Sequence, residues 1–217
     1  KGYGQLCELL TRAFMENKHR GRAEINRDWL DADSASGLLC LSGARDGDIG
    51  HALANGNHAV AEALAADWAR RFPDAFYIEL QRAGHPGTET YIREAVQIAA
   101  RLNLPVVATH PIQFTRPEDF KAHEARVCIS QGYVLADKRR PKDFTDQQYF
   151  KSQDEMAALF ADIPEALQNS VEIARRCSLT VQLGKTFLPP FSTPEGVTLH
   201  DFLAAEAKAG LEVRVAE

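Results

Sequence analysis

The sequence predicts an α/β fold on parallel strands, continued by an α-rich region. Three observations carry this expectation. Short apolar runs at 37–43, 76–80 and 105–109 read as buried strands, and helical stretches of about 9 to 15 residues separate them. After the third run the pattern turns almost wholly helical.

Taken in order, Tyr3, Leu6, Leu9, Leu10, Ala13 and Phe14 recur at three- and four-residue spacing, which predicts an amphipathic helix with one packing face. Leu38, Leu39, Cys40 and Leu41 lie between Gly37 and Gly43, as expected of a buried strand, and 47–55 suits a short helix. Residues 58–72 are alanine-rich, with Val60, Leu64 and Trp68 four apart, and predict a helix stopped near Pro73. Phe76-Tyr77-Ile78-Glu79-Leu80 reads as the second strand, 88–102 as a helix capped by Thr88 or Gly87, and Pro105-Val106-Val107-Ala108-Thr109 as the third strand. Such alternation implies parallel strands joined by right-handed crossover helices, in an open sheet or in a barrel; strand count does not choose between them. Further helices are predicted at 117–131, 152–160, 164–177 and from about Leu199. Ser152 followed by Glu155 forms a capping box, and Pro164 suits a first helical position. The proline-rich run at 187–194 is the best linker candidate.

With 217 residues, 45% of them hydrophobic and 25% charged, the chain has enough apolar material for one globular core and a short extension. A net charge of -5 gives no general electrostatic reason to bind a polyanion. Cys7, Cys40, Cys128 and Cys177 lie far apart and form no Cys-x-x-Cys pair, so reduced thiols in a cytoplasmic protein are expected. No apolar run approaches the roughly 20 residues of a membrane span, and the N-terminus has no signal-peptide pattern. Without a starting Met, and running from Lys1 to Glu217, the sequence reads as an excised piece of a longer protein.

The segments 148–156 (Gln-Tyr-Phe-Lys-Ser-Gln-Asp-Glu-Met), 160–167 (Phe-Ala-Asp-Ile-Pro-Glu-Ala-Leu) and 169–177 resemble the α subunits of the C-family bacterial replicative polymerases, DNA polymerase III. Phe187-Leu188-Pro189, Gly37 to Gly43, Glu79-Leu80-Gln81 and Pro105 to Thr109 extend that resemblance, in the family's order, over nearly the whole chain. The resemblance implies the later part of an N-terminal PHP domain. That domain is a distorted (β/α) barrel of the TIM-barrel-like, metal-dependent phosphoesterase type, here incomplete at its N-terminus, with an α-rich C-terminal extension. It would occupy 1–184, with a connector and the start of the polymerase core at 185–217. The family's early His-x-His ligands and its palm aspartates would both fall outside this chain, so Mg2+ would serve the parent's polymerase site elsewhere and this region would need no cofactor.

The same resemblance locates the lost chemistry. Where metal-binding relatives continue Gln-Asp-His-Gly after the second strand, this chain has Gln81-Arg82-Ala83-Gly84; where they have Thr-Asn-Asp-x-His after the third, it has Thr109-His110-Pro111-Ile112-Gln113. Ala83 and Pro111 carry no side-chain donor and Gln113 is a weak neutral one, so no metal, catalytic or cofactor residue is assigned. His85 and His110 stand beside lost ligands and are the available substitutes, although a lone histidine more often serves as a hydrogen-bonding residue. Glu79 is either a remnant of the old pocket or a strand-end carboxylate paired with Arg82. The basic cluster Lys138-Arg139-Arg140-Pro141-Lys142 reads as a solvated loop rather than a phosphate contact. His123-Glu124 resembles a family motif and reads as a cap or salt bridge. The spaced glycines from Gly43 to Gly50 lack a following Lys-Ser/Thr and read as a turn.

The implied function is a non-catalytic scaffold within a DNA-directed DNA polymerase. It would brace the polymerase core and dock the proofreading exonuclease subunit, while other domains contact DNA and no membrane is involved. The alternative is an active metal-dependent PHP phosphoesterase, a 3′–5′ exonuclease or pyrophosphatase. A free-standing hydrolase would match the alternation but not the helical tail.

Overall fold

The structure is a computed structural model and describes residues 1–186, 188 and 190–216. The chain divides into two compact units, Lys1–Leu179 and Thr180–Glu217.

The first unit opens with α1 (Gly2–Glu16), then a hairpin of β1 (Lys18–His19) and β2 (Arg22–Ala23). There follow β3 (Cys40–Leu41), α2 (Asp48–Ala54), α3 (His58–Arg71), β4 (Phe76–Gln81), α4 (Thr88–Leu102) and β5 (Val106–Thr109). Helices α5 (Phe120–Gln131), α6 (Gln153–Leu159) and α7 (Pro164–Arg176) complete it. The second unit holds α8 (Leu199–Ala216). Two residues of the predicted linker, 187 and 189, lie outside the described residues.

Strands β3, β4 and β5 form a parallel sheet in that order. Cys40 stands opposite Phe76, Ile78 opposite Val106, and Gln81 opposite Thr109. All three predicted strands are therefore neighbours, joined by the predicted helices. Phe76 to Leu80 is buried on both faces of the central strand, which explains why that run is apolar without alternation. Ile49 from α2, Ile78 and Leu80 from β4, and Ile92, Ala95 and Ile98 from α4 form the core, closed by Phe160 and Ala166.

The first strand is shorter than the apolar run. Gly37 turns with φ of 82°, and the Leu38 N–H donates to the Ala35 carbonyl at 3.0 Å, so pairing with β4 starts only at Cys40. Burial pushes the Cys40 thiol up to about 11, with Asp48 adding to the effect. All four cysteines are unpaired.

In α1 the expected packing face divides. Leu9 and Ala13 are buried, whereas Tyr3, Leu6, Leu10 and Phe14 form an exposed stripe. The β1–β2 hairpin escapes a periodicity search because each strand has two residues. Its turn residues, Arg20 at φ 47° and Gly21 at φ 83°, both take the left-handed backbone that tight two-residue hairpins demand.

The predicted helix at 117–131 begins as a single 3₁₀ turn, Pro117–Asp119, before α5. The capping box forms as expected. The Ser152 hydroxyl accepts from the Glu155 N–H at 3.2 Å, and the Glu155 carboxylate accepts from the Ser152 N–H at 2.7 Å. The Tyr149 hydroxyl, donating to Glu155 at 2.5 Å, together with these cap bonds, holds the Glu155 carboxyl down to about 2. Pro164 opens α7, as predicted. Among the described residues no helix is long and apolar enough to cross a membrane.

Candidate functional site

Parallel α/β sheets place their chemistry at the carboxyl ends of the strands, where successive loops converge. Here those ends carry Ser42, Gln81 and Thr109. Beyond them a cavity of about 520 Å³ is lined by Arg45, Asp46, Gln81, His85, Pro111 and Gln113, with Lys142 to Phe144 and Gln148 closing another side.

The polar groups nearest the sheet are committed to one another. The Ser42 hydroxyl accepts from the Glu79 N–H at 2.9 Å, and the Tyr91 hydroxyl donates to the Glu79 carbonyl at 2.8 Å. The Glu79 carboxylate accepts from the Thr109 hydroxyl at 2.5 Å and the Gln81 amide at 3.0 Å. Glu79 is buried. Its suggested pairing with Arg82 does not occur. Residues 79 and 81 share one face of the strand, whereas Arg82 leaves the sheet in the opposite direction. The Arg82 guanidinium binds Glu89 at 3.0 Å, Asp162 at 2.6 Å and the Leu159 carbonyl at 2.6 Å, and lies over the Phe160 ring. That hub ties the start of α4 to the α6–α7 corner. Sequence reasoning missed it because Asp162 lies 80 residues away and nothing in the sequence marks it as the partner of Arg82.

Of the positions without donors, Ala83 is buried in the core while Pro111 and Gln113 reach the cavity. His85 also lines the cavity. His110 turns away: its Nε2 lies 2.9 Å from the Gln147 carbonyl, and its Nδ1 is buried without a partner. The structure does not bring the two histidines together with enough carboxylates to form a metal site. Among the described residues no group of three or more His, Cys, Asp or Glu is placed to hold an ion. Within this chain, Ala83 and Pro111 offer no side-chain donor and Gln113 a weak neutral one, so these positions supply no carboxylate or imidazole to a metal. The ionic lining is also balanced, Arg45 and Lys142 against Asp46 and Asp143, so the cavity has no net charge to select a phosphate.

His123 and Glu124 serve the structure. The His123 ring is buried between Phe114 and Phe144, edge-on to the latter at 4.6 Å, and its Nε2 has no partner. Glu124 pairs with Arg140 at 2.7 Å, both side chains largely covered. Arg140 thus departs from the solvated-loop expectation, while Arg139 stays exposed beside Asp137. The glycine-spaced segment is a turn. Gly43 adopts φ of 75°, and a Cβ on Gly50 would meet the Ala44 carbonyl oxygen at 2.3 Å, so only glycine lets α2 pack this close.

Burial lowers the imidazole values of His85, His110 and His123 below the ordinary 6.5. Around His123, Arg126 adds to this and Glu124 opposes it. Below pH 6.5 the unfolded chain therefore binds more protons at these sites than the folded one. Their contribution to stability is full above 6.5 and declines as pH falls from there. Urea unfolding midpoints at about pH 7.5 and 5.5 should show that decline, and His123→Phe should flatten it.

Residues 1–83 match the PHP domain family, the match ending at Ala83, the first of the positions that lack a donor. That match covers less than half of the chain. Beyond it, the chain is similar to DNA polymerase III subunit alpha over nearly its whole length. It is 50% identical to that protein of Pseudomonas aeruginosa over 215 residues, which is 99% of this chain and 18% of the relative. The Neisseria meningitidis protein is 50% identical over 218 residues, 100% of this chain and 19% of the relative. The Escherichia coli protein is 45% identical over 215 residues, 99% and 18%. The chain thus spans less than a fifth of the length of these relatives.

Proposed function

We propose that this chain is the PHP region of the α subunit of DNA polymerase III, the bacterial replicative DNA-directed DNA polymerase, and that the region acts there as a non-catalytic scaffold. The observation that supports the scaffold reading is the strand-end pocket, where Pro111 and Gln113 line the wall, Ala83 is buried behind it, and no group of three or more His, Cys, Asp or Glu among the described residues is placed to hold an ion. A phosphoesterase needs such a cluster to activate water and neutralise phosphate charge. In this reading the three parallel strands are part of a distorted barrel, with the PHP region over 1–184 and the connector and start of the polymerase core over 185–217. Mg2+ serves the polymerase site elsewhere in the parent. The region braces that core and docks the proofreading exonuclease subunit, other domains contact DNA, and the protein works in the cytoplasm.

Elemental analysis of the purified protein tests the reading. The expected result is no stoichiometric zinc, manganese or iron. Two or more tightly held ions per chain, lost on replacing His85 and His110 by Ala, would replace the scaffold with an active metal-dependent phosphoesterase.

A further inference from the structure

Positions 83, 111 and 113 share a second property, visible only in the fold. A single strap, residues 143–149, runs past the carboxyl ends of β4 and β5 and binds the main chain at all three. The Thr145 hydroxyl donates to the Ala83 carbonyl. The Gln148 side-chain amide donates to the Pro111 carbonyl at 3.2 Å, and the Gln148 carbonyl accepts from the Gln113 N–H at 2.8 Å. The strap is itself braced, since Gln148 Oε1 accepts from the Thr145 N–H at 2.9 Å. Its outgoing end forms a parallel bridge between Phe114 and Tyr149, in which the Phe150 N–H donates to the Phe114 carbonyl at 3.1 Å. Gln148 is only 4% exposed, so its amide is held in place rather than free to exchange with water.

We infer that this strap is a conformational lock that holds the 82–87 and 110–115 loops in the position a bound metal cluster would otherwise fix. A cluster orders its loops through side-chain donors, and removing those donors would release two loops whose ends carry the core residues Leu80 and Ala108. The strap replaces that constraint with hydrogen bonds to backbone atoms. Such bonds do not depend on the side chain at 83, 111 or 113. The lock therefore does not depend on a donor side chain at those positions, while it does depend on Thr145 and Gln148. It rests on the donorless pocket and is independent of the polymerase and exonuclease assignments.

Hydrogen exchange on the full-length protein tests the lock. Gln148→Ala should raise exchange in both 82–87 and 110–115 by about tenfold, and Gln113→Ala should change neither. Thr145→Val removes the bond to the Ala83 carbonyl and the one that the Thr145 hydroxyl accepts from the Gln147 N–H within the strap, and keeps the test open should Gln148→Ala fail to fold; it should loosen 82–87 more than 110–115. Unchanged exchange in both strap variants would overturn the inference. So would slowed exchange of these loops in the unmodified protein on adding Mn2+ or Zn2+, because a metal would then be doing the holding.

Discussion

Replacing Phe160 by Ala should destabilise the protein by about 3–5 kcal/mol, the range for emptying a fully buried aromatic site. Phe160 ends α6 with no exposed surface and sits in the same core cluster as Leu80 and Ile92. Its ring also lies 5.1 Å beneath the Arg82 guanidinium. Truncation leaves a cavity and removes the platform under the Arg82 hub, so neighbours cannot collapse into the space without breaking the contacts to Asp162 and Leu159. Against a typical domain stability of about 5–15 kcal/mol this is a large part of the whole. Urea unfolding measures it, with a lower midpoint and an unchanged slope expected. A loss below about 1 kcal/mol would mean that the α6–α7 corner is not part of the folding unit.

Leu80→Ala comes next, at about 2–5 kcal/mol, with Val107→Ala costing less because fewer atoms leave the core. Leu80 is completely buried in the central strand and Val107 is 1% exposed on its neighbour. Leu80 immediately precedes Gln81, the last residue of its strand, which shares the Glu79 and Thr109 hydrogen bonds. Loss of the leucine should therefore loosen the pocket floor as well as the core. The spread in cost depends on how far α4 can settle onto β4 to fill the gap.

The crossover frame was legible because its signals are local and strong. An apolar run between turn residues, a helix stopped by Pro73 and a Ser152–Glu155 box each act within a few residues; the helix and the box appear where the sequence puts them, and the run between Gly37 and Gly43 yields a strand over Cys40–Leu41 alone. The reading of 83, 111 and 113 as lost ligand positions came one residue at a time, from the resemblance, and stays a proposal. What could not be read depends on remote partners. The bond from Thr145 to Ala83 spans 62 residues and that from Gln148 to Pro111 spans 37. Both donors lie in a polar stretch with no period, so no pattern marks them as structural. Arg82 is similar, since its ion pair with Asp162 spans 80 residues. The exposed stripe of α1 shows the converse, because amphipathic spacing identifies a helix without saying how much of its apolar face is covered.

The central claim is that this region acts through its packing and contributes no catalytic group. Primer extension by the full-length protein tests it most directly, with Leu80→Ala set beside His110→Ala and Gln113→Ala and thermal melting recorded for each. The account predicts that Leu80→Ala lowers both melting temperature and nucleotide incorporation, while the two pocket variants leave both nearly unchanged. Loss of a metal-dependent phosphatase or exonuclease signal in His110→Ala or Gln113→Ala, with folding intact, would contradict it.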